Sequence, residues 1–391
     1  MRRTFLIAAI VICWTAAAAA ETADDYNLRA RHADNIHKRL ALLDKALAIN
    51  PNHVPALTHR ARVHLALGDK ELAFADGRKA AELVPGDPEL NFNASVLATD
   101  LKKHEEAARF SGRAVAADRT SLPYRQLHVS ALIKALKTDE AVVQAEAAVK
   151  RHPENLGSYL LRAEAYEWTG RYKDAIADLT HLIQMTPRVA TLYAQRSGNY
   201  RAIGDGKSAL ADAMAALRRG RRPAGGNASI GNCYEELGQL ERALEFYAKA
   251  AKSDSQKEYY KIWSCIILRK LGRRQEADKF IKDFRKVFKN DEWIAPVVRY
   301  LTGEMTEEQV FQLAKDDDPE TNRQQLCEAY YYIGACHLAD KKLDKAEGLM
   351  KKCLEQRVVN FYEHGFAIRD LRTIKKLRKE AGKRAADNKT P

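Results

Sequence analysis

One pair of neighbouring side chains in this 391-residue chain could take part in proton transfer, Glu363 and His364. A catalytic site would also need a nucleophile or a metal ligand beside them, and the sequence places neither there. The other histidines form no HExxH pattern and no pair spaced four residues apart, so a zinc site is not predicted. We therefore interpret His364 as part of a closing helix and predict no catalytic residue and no metal ligand.

A second stretch resembles the end of a phosphate-binding loop, the run Gly204-Asp205-Gly206-Lys207-Ser208. The full pattern needs a glycine five residues before Gly206, and Arg201 stands there instead. No strand precedes the run, although a strand has to position such a loop. The sequence therefore predicts no nucleotide and no other cofactor, and the protein is not expected to be an enzyme.

The first twenty residues have the pattern of a secretory signal. Arg2 and Arg3 precede an apolar stretch, and Ala18-Ala19-Ala20 forms a small-residue cleavage site before Glu21. Cys13 lies inside the apolar stretch, where a lipid-modified cysteine is not expected. Cleavage after Ala20 predicts a periplasmic or secreted protein. The alternative is a membrane-tethered or cytosolic protein that keeps an uncleaved N-terminus.

Composition favours a globular helical protein with an anionic partner. The net charge is +13, with 46% hydrophobic and 30% charged residues, which excludes a wholly disordered chain. The last part, 369–391, carries nine Lys or Arg and three Asp or Glu. We expect a solvated, partly disordered end from residue 372, and the alternative is attraction to an anionic envelope polymer or lipid. Nucleic acid is not expected, because no aromatic residue follows Phe366 in this part.

Small residues recur with a period of 34, the feature that organises the whole chain. One phase of the repeat is alanine seven times in succession: Ala73, Ala107, Ala141, Ala175, Ala209, Ala243 and Ala277. Glycines share a second phase, five residues earlier: Gly68, Gly170, Gly204, Gly238 and Gly272. Prolines at 51, 85, 153 and 187 share a third phase. Such a period indicates stacked copies of one structural unit.

This pattern resembles the tetratricopeptide repeat (TPR), a helical hairpin of 34 residues. In the copy at 156–189, the characteristic positions are filled by Tyr159, Ala163, Gly170, Ala175, Leu182 and Pro187. The resemblance implies an all-α solenoid of helical hairpins, with about eight to nine repeats and an irregular helical C-terminal cap. Ala163 and Ala175 are expected to lie at a close crossing of the two helices, and Gly170 at the turn between them.

The repeat register also gives an interpretation of the cysteines. Five follow the signal segment: Cys233, Cys265, Cys327, Cys336 and Cys353. Four of them occupy small core positions of the repeat, so we expect free thiols that pack as compact apolar residues. A disulfide between facing helices, such as Cys336 with Cys353, stays open as the alternative, because an exported protein meets an oxidising environment.

The period breaks after Phe284, and the segment that follows is predicted to be irregular. Residues 293–317 are expected to form a short helix, a turn at Thr302-Gly303 and an amphipathic helix capped by Thr306 with Gln309.

We predict a signal peptide at 1–20, a TPR array at 21–289, a non-TPR helical insert at 290–326, a final TPR and capping helix at 327–371, and a basic tail at 372–391.

The order of features in this C-terminal part is similar to that of the NlpI-type periplasmic TPR lipoproteins. The residues that carry the similarity are Trp293, Tyr300, Leu301, Gly303, Tyr332, Gly334, Asn360, Phe361, Glu363, His364 and Ala367. The resemblance implies an adaptor that docks cell-wall hydrolases and a processing protease in the envelope, and it implies a homodimer. The lipid-attachment pattern of that family is missing here.

The predicted function is therefore a scaffold that binds a protein or peptide partner on the concave face of the array. Repeat positions assign the following residues to that face, as candidates for partner binding: Arg62, Phe92, Lys134, Trp168, Arg201, Asn232, Arg269, Lys270 and Tyr331. They carry few large apolar groups and lack the dense cluster of basic residues that captures a terminal carboxylate.

Overall fold

The computed structural model describes residues 21–253, 257–286, 288 and 293–387, with backbone only at 257 and 385–387. The described residues contain 21 α-helices and no strand, as the all-α prediction requires. The chain divides into two compact units, residues 1–137 and 138–391. The predicted signal peptide at 1–20 lies outside the described residues. Within the described part, no helix is both long and apolar enough to cross a membrane.

Unit 1 is a series of helical hairpins. Its helices are α1 (Ala23–His32), α2 (Ile36–Ile49), α3 (Val54–Leu67), α4 (Lys70–Leu83), α5 (Pro88–Asp100), α6 (His104–Ala117) and α7 (Leu122–Lys134). Several of these helices begin at a side chain that caps the free N–H groups of the first turn. Asn35 does so for α2, Asp87 for α5 and Ser121 for α7.

Unit 2 repeats the same hairpin and closes with a long helix. Its helices are α8 (Thr138–Arg151), α9 (Leu156–Trp168), α10 (Tyr172–Met185), α11 (Ala190–Ala202), α12 (Gly206–Arg218), α13 (Pro223–Glu236), α14 (Leu240–Lys252), α15 (Lys257–Lys270), α16 (Arg274–Arg285), α17 (Ala295–Thr302), α18 (Glu307–Leu313), α19 (Pro319–Ala339), α20 (Leu343–Glu355) and α21 (Tyr362–Asp387).

The small-residue register is confirmed. All seven alanines of the first phase, from Ala73 to Ala277, are completely buried. Ala163 is also buried, so both members of the predicted crossing in α9 and α10 lie in the core. The glycine phase marks the turns, where Gly170 has φ of +73°. Lys102 and Leu136 adopt the same left-handed conformation without being glycine, so the turn geometry persists where the sequence signal is lost.

A repeated ion pair ties the two helices of a hairpin together, and the sequence analysis did not identify it. The guanidinium group of the first helix binds both carboxylate oxygens of an aspartate sixteen residues later. The pairs are Arg60–Asp76 in unit 1, and Arg162–Asp178 and Arg196–Asp212 in unit 2, with shortest N–O distances of 2.6–2.7 Å. Bidentate pairs of this kind fix orientation as well as adding energy.

The irregular segment forms the predicted helices, but its C-terminal boundary differs. α17 ends at the left-handed Gly303, and Thr306 with Gln309 forms a capping box at α18, as expected. α19 begins at Pro319, capped by Asp318, so the expected boundary at 326 falls inside a helix. The reason is that the first helix of the last hairpin extends beyond the usual repeat length.

The expected disordered end is not observed over residues 372–387. α21 continues through this part, because alanine, lysine, arginine and glutamate all favour helix. Ile374 is buried, whereas the side chains of residues 375–384 are exposed. The boundary between packed and solvated sequence therefore lies near Ile374, inside a single helix.

Candidate functional site

The helix α21 lies across one face of unit 2. We call this the first-helix face, because it is formed by the first helices of the hairpins, α9, α11, α13, α15 and α19. α21 packs on α19, α20 and α11. A surface of stacked helical repeats commonly binds a helix or a peptide, and here part of the first-helix face is filled by the same chain.

An aromatic cluster holds the start of α21. The ring of Trp263, on α15, meets the rings of Tyr362 and Phe366 edge-on, at centroid distances of 5.2 Å in both cases. Tyr247 and Tyr260 pack on other sides of the same indole. Edge-to-face pairs contribute about 0.5–1.5 kcal/mol each beyond their buried area, so this cluster is a main attachment of the helix.

Two buried carboxyl groups lie next to this cluster. Glu363, in the first turn of α21, accepts a hydrogen bond from the hydroxyl of Tyr332. Glu328, on α19, accepts hydrogen bonds from Trp293 Nε1 at 2.7 Å and from the hydroxyl of Tyr259. Burial raises the pKa of Glu328 to about 8, and the charge of Glu363 adds to the rise. Glu328 is therefore mainly protonated at neutral pH.

A buried cluster of charges fixes the middle of α21. Lys270 Nζ lies 2.8 Å from Glu235 Oε1 and 3.1 Å from Asp370 Oδ2. Arg369 approaches Glu235 at 2.7 Å and Asp370 at 2.9 Å. Burial acts to raise the pKa of Asp370, but the charges of Arg369 and Lys270 outweigh it and hold that pKa below its usual value. The cluster contains two positive and two negative groups, so every charge is compensated.

Arg372 attaches α21 to the C-terminal end of α11. Its guanidinium donates hydrogen bonds of 2.7 and 2.8 Å to the carbonyl oxygens of Ala202 and Arg201. It also lies 2.8 Å from Glu236. Free carbonyl groups at the end of a helix attract cations, so this contact satisfies groups that the hairpin itself leaves unpaired.

The structure commits several candidate partner-binding residues to contacts within the chain. Asn232 and Tyr331 are buried, and each bonds to a neighbouring side chain, Tyr247 and Arg369 respectively. Lys270 belongs to the charge cluster described above. Arg269 donates to the carbonyl of Leu301. Position in the repeat placed Asn232, Lys270 and Tyr331 on the first-helix face, but it gave no sign that Lys270 and Tyr331 would bond to residues of α21.

The remaining candidates keep exposed surface. In unit 2, Trp168 and Arg201 are half-buried. In unit 1, Arg62 and Lys134 are exposed, and Phe92 packs on Tyr124 with ring centroids 5.4 Å apart.

Unit 1 also has a cleft between α3 and α5, which we call the α3–α5 cleft. It has a cavity volume of about 130 Å³, and its lining includes Arg62, Leu65, Val96 and Asp100. Leu65 and Val96 are 42% and 37% exposed.

The described part of the chain has no cluster of metal ligands and no exposed thiol. It contains no group of three or more His, Cys, Asp or Glu residues that could hold a metal ion. The five described cysteines are free and buried, as the register predicts. Burial raises the pKa of Cys233 to about 11 and that of Cys336 to about 12, so neither is a thiolate at neutral pH. Cys353 has Cys327 as its sulfur neighbour, at 3.3 Å, rather than Cys336.

His364 lies in the first turn of α21, next to Glu363, which agrees with its interpretation as part of a closing helix. Burial lowers the pKa of His364 to about 4, so the ring is neutral at ordinary pH. Sequence reasoning missed the roles of Glu328, Arg369 and Arg372. In the sequence, these three residues stand out only as charged residues between apolar ones on a helix. Charged residues usually lie in solvent, so this pattern alone does not predict the contacts that they make within the chain.

Comparison with known proteins gives the same type of repeat. Models of the tetratricopeptide repeat family match residues 40–88 and 127–188, and residues 225–257. The "Lipoprotein NlpI homolog" of Haemophilus influenzae is 25% identical over 224 residues, which cover 56% of this chain and 70% of that protein.

Two solved structures are similar to part of this chain. A tetratricopeptide repeat protein from Parabacteroides merdae is 17% identical with a TM-score of 0.45, covering 61% of this chain and 96% of that one. YrrB, described as a TPR protein with an unusual peptide-binding site, is 16% identical with a TM-score of 0.39, covering 46% and 92%.

Proposed function

We propose, from the premise that this chain is a tetratricopeptide repeat protein, that it is a non-enzymatic adaptor of the cell envelope. Tetratricopeptide repeats mediate protein–protein interaction, and an adaptor function belongs to that class. The observation that carries the proposal is the way in which unit 2 holds α21. Aromatic packing, paired charges and hydrogen bonds to a helix end are the contacts that a protein-recognition surface provides.

The partner binds to unit 1 in this proposal, at the α3–α5 cleft. Leu65 and Val96 offer apolar contact area, and Arg62 and Asp100 offer charges of both signs at the same cleft. Such a surface suits an amphipathic segment of a protein rather than a strongly charged polymer. Phe92 and Lys134 of unit 1, and Trp168 and Arg201 of unit 2, stay proposed contact residues.

The proposed location and partner class are inferred mainly from sequence. The signal-like segment at 1–20 favours export. The similarity to the NlpI homolog, together with the order of features from Trp293 to His364, favours a role with cell-wall hydrolases or their proteolysis, and a homodimer. The exposed basic side chains of α21 beyond Ile374 favour contact with an anionic envelope surface.

Partner capture from an envelope extract tests the binding function, with the chain starting at Glu21 as bait. Val96→Asp places a charge in the α3–α5 cleft, and Val143→Asp is the matched control on an exposed position of α8. We expect a captured protein that the control retains and the cleft variant loses, while circular dichroism of both variants stays helical. Equal capture by both variants would place the partner elsewhere, and no specific capture would refute the adaptor function.

The N-terminus of the expressed protein tests export separately. A mass that corresponds to a chain starting at Glu21, recovered from the periplasm or medium, is the expected result. A full-length chain that starts at Met1 and sediments with membranes would support the tethered alternative.

A further inference from the structure

A cavity lies in unit 2 between α9, α11 and the start of α21, and Tyr362 of the aromatic cluster forms part of its lining. Its volume is about 250 Å³, and it opens to solvent. Pockets for drug-sized ligands usually measure about 300–1,000 Å³, so this one suits a single side chain or a small ion. Glycine at 198 and at 365 leaves it open, because a Cβ at either position would meet no atom within 4 Å.

Asn199 presents an unpaired acceptor at this cavity. The residue is only 3% exposed, and its amide nitrogen donates to Glu167 Oε1 and to the carbonyl of Gln195. Both donors of the amide are therefore used, which fixes its orientation. The remaining oxygen, Oδ1, is buried without a hydrogen-bond partner. Leaving a buried acceptor in this state is unfavourable, and a bound donor would satisfy it.

Glu167 adds a carboxyl group without a compensating cation. It lies in the last turn of α9, and among the described residues no lysine or arginine forms an ion pair with it. Burial raises the pKa of Glu167 to about 7 against the opposing hydrogen bond from Asn199, and the charge of Glu164 adds to the rise. A carboxyl group in this position is stabilised in its charged form by any cation that enters the cavity.

His364 supplies a third polar atom, and aromatic rings form part of the wall. Its Nδ1 is buried without a partner, and its neutral ring can accept a hydrogen bond there. Tyr172 and Phe361 also line the cavity, and such rings can pack against an alkyl chain and favour a cation at its end. The C-terminal ends of α9 and α11 both lie here and favour positive charge.

We propose that this cavity binds a primary ammonium group on an unbranched alkyl chain, as a lysine side chain of a protein partner presents it. An ammonium group has three donors, which match Glu167, Asn199 Oδ1 and His364 Nδ1. Arg372, bound to the neighbouring carbonyl groups of Ala202 and Arg201, shows that this part of the face already accommodates one basic side chain. That the ammonium group comes from a lysine of a protein partner rests on the proposed adaptor function. That the cavity binds an ammonium group does not depend on that function.

Other titratable groups lie at or near the cavity and affect the pH range of binding. They are Glu164 on α9, Tyr172 at the start of α10, Arg201 on α11, and His364 and Arg372 on α21. Arg201 lines the cavity together with Glu167, and its charge also acts on Cys233 and Tyr247. Because Glu167 becomes charged near neutral pH, ammonium binding should strengthen as the pH rises through about 7.

Ligand-observed NMR with the chain starting at Glu21 tests the proposal. The probes are Nα-acetyl-lysine amide, its uncharged analogue Nα-acetyl-norleucine amide, and cadaverine as a free diamine. We expect the lysine probe to bind and the norleucine probe to bind at least about tenfold more weakly. Equal binding of lysine and norleucine probes would overturn the proposal. Binding of cadaverine alone would keep the ammonium chemistry but overturn the lysine source.

Two pairs of variants locate the site. Glu167→Gln should weaken the lysine probe about tenfold, whereas Glu164→Gln, which removes an equal charge on the same helix, should not weaken it. Gly198→Leu should block the cavity, and Gly198→Ala should bind nearly as the wild type does. Binding that survives both Glu167→Gln and Gly198→Leu would place the ammonium elsewhere. If the wild-type chain fails to bind the lysine probe but still captures a partner at unit 1, only this inference is overturned and the adaptor function stands.

Discussion

Lys270 and Asp370 are separated by 100 residues in the sequence and form a buried ion pair of 3.1 Å. Asp370 lies on α21 and Lys270 lies on α15. This contact therefore links the C-terminal helix directly to the first-helix face of unit 2. The pair shares its charges with Glu235 and Arg369, which keeps all four groups compensated. As a consequence, part of the first-helix face of unit 2 is occupied by a helix of the same chain.

Removing one member of this cluster should destabilise unit 2 strongly. Asp370→Ala leaves Lys270 and Arg369 with one carboxylate between them, and breaking a buried pair in this way costs about 3–5 kcal/mol. Urea unfolding followed by circular dichroism measures the change. Asp344→Ala is the control, because Asp344 forms an exposed pair with Arg378 and should leave the midpoint unchanged. Equal midpoints for the two variants would contradict the buried cluster.

The contribution of Glu328 to stability should fall as the pH rises from about 4.5 to about 8. The folded protein keeps a proton on Glu328, whose pKa is raised to about 8 from an ordinary 4.5, while the unfolded chain loses it. The stabilisation is therefore complete below about 4.5 and is lost through about 8. Glu328→Gln should remove this falling component from the dependence of the unfolding free energy on pH.

The control for this pH dependence is Glu380→Gln on the exposed part of α21, which should keep the wild-type slope. Some slope should persist in Glu328→Gln, because Glu167 also has a raised pKa. An unchanged slope in Glu328→Gln would show that its carboxyl group is not buried as described.

A large residue at a helix crossing should destabilise the hairpin of α9 and α10. Ala175 is completely buried, and Ala177 is exposed on the same helix. Ala175→Trp should cost about 1–3 kcal/mol or more through overpacking, whereas Ala177→Trp should be tolerated. Differential scanning calorimetry compares them, and matching transition temperatures would refute the repeat register.

The five cysteines after residue 20 should not react in the folded protein. They are buried, and burial raises the pKa of Cys265, for example, to about 11. Ellman's reagent near pH 8 should therefore detect almost no thiol until denaturant is added, and then all five. A mass lower by two hydrogens would instead indicate a disulfide, and Cys327 with Cys353 would be the first pair to examine.

Local sequence predicted the hairpins well, because each depends on small residues that recur within the unit. The alanine phase ending at Ala277, the turn at Gly170 and the capping box at Thr306 all needed only neighbouring residues. The docking of α21 could not be predicted in this way. Its contacts join Arg372 to residues 136 to 171 positions earlier, and no repeat period reports pairings over such distances.

The same limit explains the candidate binding residues. Repeat position placed Asn232, Lys270 and Tyr331 on the first-helix face, but the bonds of Lys270 and Tyr331 are made to α21, a helix outside the array. By contrast, the ion pairs spaced sixteen residues apart, such as Arg162 with Asp178, recur in phase and could have been found from the sequence.

Hydrogen exchange measured by mass spectrometry tests the central claim, that α21 is bound to the first-helix face of unit 2. In the free chain starting at Glu21, we expect peptides from residues 362–374 to exchange as slowly as those from α13 and α19. Peptides from residues 375–384 should exchange faster, because their side chains are exposed and the helix has few contacts there. Rapid exchange throughout 362–374, while α13 and α19 stay protected, would contradict the docking of α21.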